Sequence, residues 1–187
     1  MKFDVAVVGA GIGGLAHALA AARRGYRVVV FERSQQAQGA SIRNFGMILP
    51  VGMAPGKMHE RAMRSRQIWL NVAAQAGIWH EPVGALIPAY QPDELAVLAE
   101  FSQQAVAWGY PCRLLSAGEV LARSPSLNPN GLLGGLWSAS EVIVDPRQAI
   151  ARLPDYLAQA YGVAAQTLKR SIPACFAKAA SRAASCK

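Results

Sequence analysis

The chain has 187 residues, of which 52% are hydrophobic, and a formal net charge of +8. This length predicts one domain, or one and a half, with a sizeable core. No apolar run approaches the roughly 18 residues of a membrane span, so we expect none. The three cysteines lack disulfide or metal-site spacing, and the N-terminus enters a strand at once. These features predict a cytoplasmic protein without a secretory signal.

The positive charge is concentrated at one end of the chain. Residues 164–187 contain five Lys and Arg residues and no acidic residue, so they supply +5 of the net charge. A basic surface indicates nucleic-acid binding when it lies on one folded face, and the rest of the chain shows no such pattern. We therefore expect no nucleic-acid partner. A basic nucleic-acid-binding protein is a third interpretation that depends on residues 164–187 alone.

The first 33 residues carry the strongest signal. A short β-branched strand over Phe3–Val8 is followed by a glycine turn, a helix and a second strand that ends at Glu32. The turn contains the pattern G-x-G-x-x-G, formed by Gly9, Gly11 and Gly14. The glycine pattern alone is a weak signal, but here every flanking element is present. The segment therefore predicts a dinucleotide-binding βαβ unit.

Each residue of this pattern has a predicted role. Gly9 permits the tight turn, Gly11 lets the backbone approach a pyrophosphate, and Gly14 lets the helix pack closely on the strand. The helix N-terminus favours a diphosphate. Glu32 is placed to accept hydrogen bonds from ribose hydroxyls, and it would repel the 2′-phosphate of NADP. The candidate cofactor-binding residues of this unit are Gly9, Ala10, Gly11, Ile12, Gly13, Gly14, Glu32 and Arg33.

A long polar segment runs from Ser34 to about Gly56, and loops of this length in a compact domain are usually functional. The later patterns predict helices over 57–76, 92–109, 116–123 and 145–161, and strands over 84–90 and 112–115 with two more within 132–144. A further strand should follow Gly162 to extend the parallel sheet. The Ala- and Ser-rich sequence from Ala164 shows no alternation, so we expect no strand there.

No metal site is predicted, because His59-Glu60 lacks the H-E-x-x-H pattern. Cys112 lies in a predicted strand and is expected to be unreactive. Phe45 and Met47 are expected either to pack on a bound ring or to fill the core.

The residue patterns together resemble the FAD-dependent oxidoreductases of the D-amino-acid oxidase, glycine oxidase and sarcosine oxidase type. Besides the N-terminal pattern, the resemblance depends on Gly39-Ala-Ser41 with Asn44 and Gly46, and on Val142-Ile-Val-Asp-Pro146 before a helix and Gly162. It implies an α/β fold, in which a Rossmann-like parallel sheet binds FAD and a partial α+β substrate domain is interleaved with it. It also implies that Ser41, Arg43 and Asn44 lie near the diphosphate or the isoalloxazine.

The resemblance implies an oxidoreductase that oxidises the C–N bond of a small amine or amino acid by hydride transfer to FAD. It predicts an FAD-binding domain over 1–56 and 141–163 and a partial substrate domain over 57–140. Members of this family are longer, so we expect a truncated or frameshifted chain whose residues 164–187 form a basic tail outside the family, disordered or loosely helical. The alternative is a catalytically inert fragment that at most binds the ADP part of FAD. No catalytic residue is predicted.

Overall fold

The computed structural model describes residues 2–167. The chain divides into two compact units. Among the described residues, the first contains residues 2–44, Gln75–Ile78 and residues 146–167; the second contains Phe45–Ala74 and Trp79–Asp145. No helix among the described residues is long and apolar enough to cross a membrane. The predicted division into a cofactor domain and a substrate domain stays a prediction.

The elements follow the chain as five α-helices and nine strands among the described residues. The strands are β1 (Val5–Val8), β2 (Val28–Glu32), β3 (Met47–Ile48), β4 (His80–Glu81), β5 (Ala85–Ala89), β6 (Cys112–Ser116), β7 (Gly134–Ser138), β8 (Val142–Val144) and β9 (Ala164–Thr167). The helices are α1 (Ile12–Ala22), α2 (Lys57–Ala76), α3 (Pro92–Ala105), α4 (Ala117–Arg123) and α5 (Pro146–Tyr161). Short 3₁₀ turns occur at Ala40–Ile42 and Pro50–Gly52.

The first unit is built on a parallel sheet with the strand order β1-β2-β9. Val5 pairs with Val28, and Val29 pairs with Ala164. Helices α1 and α5 pack against each other. They bury Leu15, Ala18 and Leu19 of α1 and Ile150, Leu153 and Leu157 of α5. The predicted α/β class with a parallel sheet is confirmed.

The expectation that no strand follows Gly162 is wrong. Gly162 adopts a φ of +66° and ends α5, Val163 is buried, and β9 then pairs in parallel with β2 over four residues. A strand of Ala, Ala, Gln and Thr has low β propensity, but hydrogen bonds of the backbone form the ladder whatever the side chains are. The predicted tail boundary at 164 therefore falls on a strand. The remainder of that tail, residues 168–187, lies outside the described residues.

The second unit contains two antiparallel sheets, with the strand orders β3-β8-β4 and β5-β7-β6. Buried clusters form around β7. One contains Val51, Ala105, Tyr110 and Leu136. The other contains Leu115, Val120 and Leu132. The two strands predicted within 132–144 are β7 and β8, whereas β4 was not predicted.

Sequence signals typical of helix ends are present at α2, α3 and α4. Ser116 and Glu119 form a capping box at the start of α4, in which the Glu119 amide donates to the Ser116 hydroxyl. Gln91 and Glu94 form a second capping box at α3. The helix α2 has the bounds predicted for it, and Gly77 follows it with a φ of +65°. The two capping boxes satisfy amides that have no partner inside the helix.

Candidate functional site

The glycine turn between β1 and α1 needs its glycines for reasons that the backbone shows. Gly9 has a φ of +99°, which L side chains rarely adopt. A Cβ on Gly14 would lie 1.9 Å from the carbonyl oxygen of Gly9, so the helix could not approach the turn this closely with any other residue. The predicted role of Gly14 in close packing thus has a direct geometric basis. By contrast, a Cβ on Gly13 would meet nothing within 4 Å.

The first turn of α1 presents its amides without a local side-chain cap. The N-cap residue is Gly11. The Ile12 N–H instead donates to the Ser41 Oγ at 3.0 Å, across 29 positions of sequence. Since amides at a helix N-terminus carry partial positive charge, they favour an anion at this end of the helix. Ser41 therefore lies at the N-terminus of α1, and its predicted place near a diphosphate stays a prediction.

Glu32 lies at the end of β2 and reaches back to the glycine turn. Its Oε2 accepts the Ala10 N–H at 2.8 Å, and its Oε1 accepts the Ser34 N–H at 3.2 Å. The hydrogen bond from Ala10 is the largest cause that lowers the pKa of Glu32, with smaller contributions from Ser34 and Arg33; partial burial opposes them. The carboxylate is therefore held in its charged form, as an acceptor beside the turn.

The segment that contains Ser41 is ordered by its own side chains. Asn44 Nδ2 donates to the Ser41 carbonyl oxygen at 2.8 Å, which closes the 3₁₀ turn Ala40–Ile42. The side chain of Arg43 is exposed. Asn44 thus supports the turn that presents Ser41, and Arg43 supplies positive charge on its surface.

A cavity of about 270 Å³ opens beside Glu32. Its lining residues come from the glycine turn, the loop after β2, α5 and β9, namely Ala10, Leu15, Val30, Glu32, Ser34, Gln35, Gln36, Ala37, Ile150, Ala151, Pro154, Asp155, Leu157, Val163, Ala165, Gln166 and Thr167. All of them belong to the first unit. Aliphatic walls with a few polar groups at the rim are typical of a site for a small organic ligand.

The structure brings the predicted site residues together in two places. Ala10 and Glu32 line the cavity, while Gly11, Ile12 and Ser41 meet at the N-terminus of α1. Arg33 and Arg43 are exposed and are not among the residues that line the cavity. The walls formed by α5 and β9 were missed by sequence reasoning. The one available signal was Gly162, which closes α5 and returns the chain to β2.

Other candidate groups do not form a second site of this kind. Among residues 2–167, no cluster of three or more His, Cys, Asp or Glu side chains is arranged to hold a metal ion. Burial, and to a smaller extent the charge of Glu141, raises the pKa of the Cys112 thiol. A raised thiol pKa lowers the thiolate fraction and hence reactivity.

Comparison with known proteins agrees with this geometry. The family model described as FAD dependent oxidoreductase matches residues 4–167. No curated protein sequence matches the chain. Among solved structures, glycine oxidase from Geobacillus kaustophilus is 25% identical, with a TM-score of 0.75, and the match covers 88% of this chain and 46% of that one.

Two further structures are similar over the same region. The FAD-bound, dithionite-reduced L-alpha-glycerophosphate oxidase from Mycoplasma pneumoniae is 26% identical, with a TM-score of 0.75, over 89% of this chain and 45% of that one. Glycine oxidase from Bacillus cereus ATCC 14579 shares the fold at 23% identity, with a TM-score of 0.76, over 89% and 46%. The chain spans less than half the length of each structure. From the family match over residues 4–167, the chain belongs to the D-amino-acid oxidase family of FAD-dependent oxidoreductases.

Proposed function

We propose that this chain binds FAD through the ADP half of the cofactor, as the cofactor-binding part of an oxidoreductase that acts on the C–N bond of a small amine or amino acid. One observation carries the proposal. The Glu32 carboxylate accepts the amide of Ala10, which shortly precedes α1, and it lines the 270 Å³ cavity.

The donor and acceptor groups here fit the ADP half. The negative charge of Glu32 suits ribose hydroxyls, which donate, and it opposes a 2′-phosphate. At the other side, the N-cap Gly11 provides no side-chain acceptor, so the first-turn amides other than that of Ile12, which is bonded to Ser41, are proposed to bind a diphosphate. The Ser41 hydroxyl accepts from Ile12 and keeps its own proton to donate. Exposed Arg43 adds positive charge for the same anion. The site therefore separates an acceptor for sugar from donors for phosphate.

The remaining chemistry belongs to the cofactor. When bound, FAD accepts a hydride equivalent from the substrate. The residues of this chain bind and orient it, since Glu32 is held charged by its lowered pKa and Ser41 is fixed by the turn that Asn44 closes. No described side chain is proposed as a catalytic residue.

The substrate class is supported less directly. The name of the Geobacillus neighbour indicates an amino-acid substrate, whereas the name of the Mycoplasma neighbour indicates a glycerophosphate. The two are equally similar to this chain in fold. Our choice of an amine or amino acid depends on the sequence resemblance together with the first of these neighbours.

A second candidate function is an inert fragment that binds only the ADP part. The supporting observation is that every residue lining the cavity belongs to the first unit. ADP bound in this cavity would therefore contact lining residues of the first unit alone.

Calorimetry and flavin absorbance separate the two functions. Purified chain is titrated with FAD and with ADP, and the FAD complex is then mixed anaerobically with glycine, with a panel of small amines and with glycerol 3-phosphate. Tighter binding of FAD than of ADP, with flavin bleaching by an amine, is the expected result. If glycerol 3-phosphate alone bleaches the flavin, the proposed substrate class is a glycerophosphate and not an amine. Equal affinities without bleaching indicate the inert fragment. A folded chain that gives neither heat nor a spectral change with FAD contradicts FAD binding.

A further inference from the structure

The wall that α5 contributes to the cavity carries a carboxylate that the proposed function does not use. Ile150, Ala151, Pro154 and Asp155 of this helix all line the cavity. Among the described residues that line it, Glu32 and Asp155 are the charged ones, and none is Lys or Arg. Two negative charges oppose a phosphate inside the cavity, so its walls are suited to a part of the ligand that donates hydrogen bonds.

Asp155 combines a place in the cavity wall with exposure to solvent. Its side chain is exposed although the residue lines the cavity. Within residues 2–167 its carboxylate takes part in no ion pair. An exposed carboxylate is ionised at neutral pH, and in that form it accepts hydrogen bonds and donates none. The oxygens of Asp155 are therefore available as acceptors for an N–H group of a ligand.

Pro154 leaves a second acceptor on the same wall. Proline has no N–H group, so a proline inside a helix leaves the carbonyl oxygen four residues earlier without its usual donor. Pro154 lies inside α5, and the carbonyl in question is that of Ile150. Residues at positions i and i+4 share one face of a helix, and both of these residues line the cavity. The wall of α5 therefore offers a backbone acceptor together with the Asp155 carboxylate.

Two acceptors on one helix face suit a ligand group that donates two hydrogen bonds. An amino group on a planar ring is such a group, because it carries two N–H donors. The ring itself fits the rest of the cavity, where Leu15, Val30 and Leu157 form aliphatic walls. Under the proposed function the ribose lies at Glu32 in the same cavity, so the base attached to it shares the space that these walls enclose.

We propose that the Asp155 carboxylate and the Ile150 carbonyl oxygen bind the exocyclic amino group of the nucleotide's base, so that the cavity selects adenine over a purine that lacks this group. This inference rests on the proposed function, because it starts from the ribose at Glu32. Both acceptors belong to the first unit. The selection therefore needs no residue of the second unit.

Two nucleotides isolate the amino group in an experiment with the full chain. ADP and purine riboside 5′-diphosphate differ only in the 6-amino group, and calorimetry measures the ratio of their affinities. Asp155→Ala removes one acceptor, whereas Asp155→Asn keeps an acceptor oxygen at the same reach. Pro154→Ala returns an N–H donor to the Ile150 carbonyl oxygen. Glu32→Ala is the matched control, because Glu32 is the other carboxylate of the cavity and both nucleotides contain the ribose assigned to it.

We expect the wild-type chain to bind ADP about tenfold more tightly than purine riboside 5′-diphosphate, the scale of one hydrogen bond to a charged group. Asp155→Ala should lower this ratio severalfold, and Asp155→Asn should keep more of it. Pro154→Ala should lower the ratio and yet raise the melting temperature, since proline is the least favourable residue inside a helix. Glu32→Ala should weaken both nucleotides alike and leave the ratio unchanged.

The failure of this selection is distinguishable from the failure of the proposed function. If the wild-type chain binds both nucleotides equally, or if Asp155→Ala keeps the full ratio, the selection is wrong while ADP binding stands. A ratio that falls as far in Glu32→Ala as in Asp155→Ala also overturns it, because any change in the cavity would then have the same effect. If the chain selects ADP but does not bind FAD, the proposed function fails in its flavin part and the selection stands. If the folded chain binds neither nucleotide, both fail.

Discussion

The contact between Gly14 and Gly9 allows a sharp test of the glycine turn. In Gly14→Ala the new Cβ would lie 1.9 Å from the Gly9 carbonyl oxygen and 3.3 Å from Cγ1 of Val7. The first distance is more than an ångström inside the 3.0 Å that real Cβ contacts keep. Since the obstructing atom is backbone, no rotamer change relieves the clash, and α1 must move away from β1.

Overpacking of this kind costs about 1–3 kcal/mol, and we expect the upper end of that range because neither partner is a flexible side chain. Gly13→Ala is the matched control. It adds the same methyl one residue earlier, in the same helix, where nothing lies within 4 Å. The control should gain about 0.5–1 kcal/mol from the lower backbone entropy of alanine in the unfolded chain.

Urea unfolding followed by circular dichroism measures both variants, and ADP titration shows whether the displaced helix still binds the nucleotide. We expect Gly14→Ala to lose stability and ADP affinity together, while Gly13→Ala gains stability by the amount given above. Equal free energies of unfolding for the two variants would refute the argument, because they would mean that α1 does not approach the Gly9 carbonyl as closely as the structure shows.

Three further predictions follow from other contacts. Gly11→Ala, whose Cβ would lie 3.1 Å from Ser41 Oγ, should weaken ADP binding about tenfold in calorimetry; unchanged affinity would contradict the assigned role of Gly11. Replacing ADP with 2′-deoxy-ADP should lower the binding affinity of the wild-type chain more than that of Glu32→Ala. Equal losses of affinity would show that Glu32 does not bind the ribose. The hydrogen bond from the Ser116 amide, followed by that from Arg113, lowers the pKa of Glu119 from 4.5 to about 2. Thermal melts should therefore show Glu119→Gln to be less stable than wild type above about pH 4.5, and this difference should vanish as the pH falls towards 2. A difference that does not change with pH would contradict this.

The N-terminal βαβ unit could be predicted from the sequence because its signals are local. Gly9 and Gly14 are required by a φ of +99° and by a 1.9 Å approach, and such requirements leave only glycine at those positions. Glu32 was equally predictable, since the end of the second strand is fixed by its spacing from the glycine turn. The structure adds that Glu32 bonds to the Ala10 amide, a contact that no local pattern encodes.

Glu141 of the second unit illustrates the opposite case, because its side chain is buried and accepts the Val51 N–H. A single Glu between two short strands reads as a turn residue, because acidic side chains are almost never fully buried. Its acceptor role depends on Val51, which lies 90 positions away in sequence. Only the folded chain brings the two together, so composition, spacing and propensity had no means to single it out.

The wrong expectation for β9 and the unpredicted walls of the cavity have one physical cause. Side-chain propensity speaks against a strand of Ala, Ala, Gln and Thr, but β2 offers a row of backbone donors and acceptors next to it, and Gly162 with buried Val163 delivers the chain into register. Ala165, Gln166 and Thr167 of that strand then line the cavity beside Glu32. Side-chain patterns cannot predict a strand that forms because of its neighbour's backbone. They therefore could not predict the cavity wall that this strand forms either. The small side chains that weakened the strand signal also leave space at this wall, so the feature that misled the prediction contributes to the cavity itself.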